Sequence, residues 1–75
     1  MWILTEDKTR IINTCSDESF FISPESGESY SVQHYRSGSL RYSTLGVYET
    51  KLLAITAIDY IFEALERGEN AHAMF

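Results

Sequence analysis

One cysteine, one proline and two histidines are spread over 75 residues, and each scarcity closes a route. A single thiol, Cys15, forbids any disulfide within the chain. His34 and His72 have no Cys, His or carboxylate at a familiar ligand spacing. A metal centre needs at least three convergent donors, so neither metal nor cofactor is expected. The four glycines, Gly27, Gly38, Gly46 and Gly68, stand far apart and none opens a helix, which leaves no phosphate-cradling loop. No apolar run approaches the roughly 20 residues that span a bilayer, so no membrane partner is expected. Six basic side chains face eleven acidic ones, for a net charge of −5. Phosphate contacts need clustered Lys and Arg, so direct nucleic-acid binding is not expected either. Residues 1–10 turn acidic after four positions, unlike a secretory signal. With a lone unpaired thiol, that pattern predicts a cytoplasmic protein.

What the chain does have is apolar and aromatic content: 44% hydrophobic, with five Tyr, four Phe and one Trp. That composition predicts a packed core rather than disorder. The segment from Thr50 to Arg67, TKLLAITAIDYIFEALER, repeats with a period near 3.6 and predicts one amphipathic helix. At 100° per residue, Leu53, Ala54, Ile55, Ala57, Ile58, Ile61, Phe62, Ala64 and Leu65 fill an arc of about 200°. Thr56, Asp59, Glu63, Glu66 and Arg67 share the remainder. Thr50 is placed to cap the helix, although Leu53 stands where a capping box would need Glu or Gln. Gly68 is placed to end it.

Before position 50 the period falls to near 2, with turn residues every eight to ten positions. Strands are expected at 2–4, 10–14, 19–23, 29–35 and 40–48. Pro24 ends the third by removing a donor, and Gly27 is free to take positive φ in the turn that follows. Arg36 to Ser39 supplies another turn, and Gly46 predicts a bulge or a close approach of the helix. Short connections favour antiparallel neighbours. The expectation is a single α+β domain over 1–75. An antiparallel meander of four to five strands (1–48) is packed by one C-terminal helix (50–67), and a tail (69–75) is frayed or docked through Met74 and Phe75.

Met1-Trp2-Ile3, Asp7-Lys8 and Ile11-Ile12-Asn13, with Leu45-Gly46-Val47-Tyr48-Glu49-Thr50 ahead of an Ala- and Ile-rich helix, resemble a group of small proteins from Gram-positive bacteria and their phages. Those chains open with Met-Trp-Ile and close with a Leu-Gly-x-Tyr segment leading into a helix. The resemblance covers about half the positions and leaves 16–41 unmatched. It implies a strand-rich domain with a final helix, carried on a mobile element, and it transfers no catalytic residue.

Other chemistry is sparse. Cys15 and His34 make a nucleophilic pair only if neighbouring strands point both to one face beside an orienting group. Cys15 is read instead as an inert small residue, His34 as a strand packing residue and His72 as solvated. His34, Tyr35, Arg36, Arg41 and Tyr42 flank a turn and combine cations with rings, as a partner-binding patch would. Ordinary cross-strand pairing explains the same residues. Asp59, Glu63 and Glu66 are read as a solvated face.

Below about 80 residues a single core rarely supplies more than about 3–5 kcal/mol, and oligomerisation is a common remedy. The sequence therefore predicts a non-enzymatic protein-interaction domain that forms a homodimer. Leu52, Ile55 and Phe62, at the polar border of the apolar arc, are its expected contact. The alternative is an inhibitor from a phage or mobile element that meets a host defence or nucleic-acid enzyme through its acidic surface.

Overall fold

The computed structural model describes residues 1–14, 18–36 and 42–75. Cys15, positions 37–39 of the turn expected at Arg36 to Ser39, and Arg41 lie outside them. Among the described residues six strands and one long helix follow in the order β1 (Trp2–Leu4), β2 (Ile11–Asn13), β3 (Glu18–Pro24), β4 (Tyr30–Arg36), β5 (Tyr42–Tyr48), α1 (Lys51–Glu66) and β6 (Ala71–Ala73). The class is α+β, as the change of period predicts, but the strands do not form one meander. They divide into two three-stranded sheets, β2-β1-β6 and β3-β4-β5. β2 and β3 are consecutive in the chain yet belong to different sheets. The tail is neither frayed nor merely docked: β6 pairs parallel to β1, with Trp2 opposite Ala71 and Leu4 opposite Ala73.

The β1–β2 hairpin is held by its loop. The Asp7 carboxylate accepts from the Thr5 hydroxyl at 2.7 Å, the Thr9 hydroxyl at 2.8 Å and the Thr9 N–H at 3.0 Å. These bonds hold its carboxyl below the ordinary 3.8, the Thr5 hydroxyl contributing most. Lys8, at φ 63°, takes the left-handed conformation that the tight loop requires.

The larger sheet is an antiparallel ladder, with Phe20 opposite His34, Ile22 opposite Val32 and Tyr48 opposite Tyr30. Gly27 (φ 76°) and Glu28 (φ 67°) turn the chain between β3 and β4. In β5 the register moves from Val32–Gly46 to Gln33–Thr44, so Leu45 is an extra residue and marks a β-bulge. Its carbonyl accepts the Glu6 N–H at 2.8 Å, and the Glu6 carboxylate accepts the Val47 N–H at 3.0 Å. That loop thereby covers the free edge of β5 and joins the two sheets. Gly46 answers to this crossing and not to the helix. A Cβ there would lie 2.7 Å from the Tyr48 hydroxyl and 2.9 Å from the Glu6 Cβ.

One core serves both sheets and the helix: Ile3, Val32, Leu45, Tyr48, Ala54, Ala57, Ile61 and Met74. Burying each of its larger aliphatic side chains stabilises the fold by about 1.5–3 kcal/mol. Tyr48 spans the layers. Its hydroxyl donates to the Phe75 main-chain oxygen at 3.1 Å and its ring meets that of Phe75 at 5.3 Å. Burial, with the Glu6 charge nearby, pushes its phenol up to about 12.

Candidate interaction surface

Helix α1 is bounded by local chemistry that the sequence already carries. The Thr50 hydroxyl accepts the Leu53 N–H at 3.1 Å. At the other end Gly68 adopts φ 68°, its N–H reaches the Leu65 carbonyl, and the Glu69 N–H reaches that of Ala64. Both bonds belong to the Schellman stop.

Only a narrow stripe of this helix is buried: Ala54, Ala57, Ile61 and Ala64. Three of the four are alanines, and an alanine stripe lets a helix lie close to a sheet. A close-lying helix leaves its larger flanking residues outside the contact. Of the nine residues of the expected 200° arc these four are buried, whereas Leu53, Ile55, Phe62 and Leu65 are exposed. Leu52 is 71% exposed, Phe62 60%, Leu65 48% and Ile55 39%. Ile58 is half-buried against the core.

The helical rise places Leu52, Ile55, Ile58, Phe62 and Leu65 along one side, at steps of three and four. Asp59 and Glu66, both exposed, fall within that sector between Ile55 and Leu52, and Glu63 lies a little further round. On the opposite flank Tyr60 meets Phe75 edge-on at 5.6 Å, so the tail occupies part of that side. Arg67 lies at the C-terminal end, 3.1 Å from Glu69 and 4.0 Å from Glu63.

The other expected patch is divided by the sheet. His34 is buried, with its ring 5.4 Å from that of Phe20 on the core side. Tyr35 and Tyr42 belong to the opposite face, where their rings meet at 5.2 Å and Tyr42 meets Phe21 at 5.5 Å. Arg36 ends β4, and Arg41 is outside the described residues. These are cross-strand aromatic contacts that hold register.

An open depression of about 340 Å³ beside them is lined by Phe21, Ser23, Gln33 and Tyr42. Gln33 is fixed there by Ser31 and Thr44, and the fully buried Ser31 hydroxyl is engaged with Glu25. A smaller depression of about 150 Å³ lies against Glu6, Asp7, Arg10 and residues 44–47. Among the described residues no three His, Cys, Asp or Glu side chains are grouped to hold a metal ion. No helix among them is long and apolar enough to cross a membrane. His72, expected in solvent, is half-buried on β6, and desolvation lowers its pKa from 6.5.

The sequence reading grouped Leu65 with the apolar arc and did not single it out for the contact. The missed signal is the spacing of alanines on the helix, which marks the side that meets the sheet.

No protein-family model, no curated protein and no solved structure matches the chain. The likeness to small Gram-positive and phage proteins therefore rests on its residues alone. Several of those have structural tasks here, with Gly46 at the sheet crossing and Thr50 at the cap.

Proposed function

We propose that the protein is a non-enzymatic interaction domain that works as a homodimer, with the exposed apolar side of α1 as its contact. The observation that carries this reading is the exposure of Leu52, Ile55, Phe62 and Leu65 along one side of a single helix. Apolar side chains scattered singly over a surface need no explanation, whereas a contiguous row is the mark of an interaction site. A domain this small also gains stability by covering such a row. The test is sedimentation across about 1–500 µM. The wild type is expected to move from monomer toward dimer, and Phe62→Glu to raise the dissociation constant at least about tenfold, since a central aromatic anchor carries a large share of contact energy. A wild type that stays monomeric throughout that range removes the reading.

A further inference from the structure

Leu53 and Tyr60 are exposed on one flank of α1, and the exposed apolar residues of its other side have an order that association alone does not require. Leu52, Ile55, Phe62 and Leu65 are separated by three, seven and three positions, so the set reads identically from either end, about a midpoint between Ile58 and Asp59. Charge is distributed the opposite way. The N-terminal half of the helix holds a single charged side chain, Lys51, and the C-terminal half holds Asp59, Glu63 and Glu66.

Resting on the self-association proposed above, we infer that two copies pair through α1 in antiparallel orientation, about a twofold axis at that midpoint. Ile55 then lies level with the partner's Phe62, Leu52 with the partner's Leu65, and Lys51 with the partner's Glu66. A twofold contact sets one patch against itself, and a patch whose apolar spacing is unchanged by reversal meets that requirement in the antiparallel sense.

Electrostatics favours the same orientation. Parallel helices would bring Lys51 to Lys51, gather six carboxylates at one end and align the two helix dipoles. The antiparallel arrangement opposes the dipoles and sets each acidic half beside the positive N-terminal end of its partner. The two Asp59 side chains, next to the axis, are the one like-charge pair it brings close.

A 16-residue helix is about 24 Å long and about 10–12 Å wide. A standard protein interface covers about 800 Å² per partner. The helix face alone falls short of that area, which places the contact among small, transient interfaces.

The experiment uses single-cysteine variants, Ile55→Cys and Phe62→Cys, each in a Cys15→Ser background and one carrying a mass tag. In the inferred register the mixture oxidises to the mixed disulfide. Each variant alone links little, because like positions are offset by about 10 Å along the axis. Self-linking of Ile55→Cys, with the mixed product scarce, overturns the antiparallel register while leaving a dimer. A dimer by sedimentation that links in neither way overturns the helix contact. A monomeric wild type overturns the self-association on which the inference stands.

A second arm does not depend on thiols. Lys51→Glu and Glu66→Lys are each expected to weaken self-association about three- to tenfold. An equimolar mixture restores both cross-pairs and forms the heterodimer preferentially. Unchanged affinities and a statistical mixture overturn the register.

Discussion

Gly46 is the residue at which one added carbon matters most. The β5 bulge turns the Leu45 carbonyl toward the Glu6 N–H, and the two strands of chain meet over a position that has no side chain. A methyl group there would press on the Tyr48 ring and the Glu6 stem together. Gly46→Ala is expected to cost about 1–3 kcal/mol, seen as a lower urea midpoint with an unchanged slope. Tyr48 makes a second prediction with a definite sign. Its phenol has an ordinary value of 10.0 and is raised to about 12 in the fold, so folding favours the neutral form. Stability is then level below about pH 10 and declines as pH rises from there toward about 12. Tyr48→Phe is expected to lose about 1 kcal/mol at neutral pH, for the bond to the Phe75 oxygen, while removing most of that alkaline decline. Chemical denaturation repeated at several pH values checks both parts.

At the scale of elements, what could be read from the sequence depended on how local the cause was. The helix runs over Lys51–Glu66 against an expected 50–67, because Thr50 and Gly68 act within a turn of where they stand. β3, β4 and β5 were legible from alternation and from Pro24 and Gly27. β6 was not, since Ala71-His72-Ala73 carries neither branched nor aromatic side chains and becomes a strand only by pairing with distant β1. For the same reason the meander was a wrong inference: short connections suggest neighbours, but they do not reveal that the chain changes sheets after β2. Of the candidate surface, Leu52, Ile55 and Phe62 could be picked out at the polar border of the helix. Leu65 could not, because apolar character does not distinguish a core position from a bare flank. β6 also supplies an acid-side prediction. Desolvation lowers His72 from its ordinary 6.5, so the fold favours the uncharged ring. The stability this gives is present above about pH 6.5 and is lost as pH falls through the folded value. Hydrogen exchange at the Met74 amide, which donates to the Leu4 carbonyl, is expected to quicken between pH 7 and 5 beyond its intrinsic pH dependence. His72→Gln should flatten that response.

For the whole molecule, the proposed association would be linked to folding. A dimer that buries the α1 row should melt at a temperature that rises with protein concentration, and Phe62→Glu should abolish that rise and lower the melting temperature. Asp59→Asn, which removes the like charges flanking the inferred axis, should tighten the dimer a few-fold in low salt and less in high salt, as sedimentation at two ionic strengths would show. The pairing of β1 with β6 has a further consequence for how the molecule is made. During synthesis the first strand emerges from the ribosome almost a full chain length before its parallel neighbour. Until then its open backbone groups offer a template to any other nascent copy. Closing so long a loop is entropically costly and comes late, so crowded refolding should favour strand exchange between molecules, and dilution should favour the closed form.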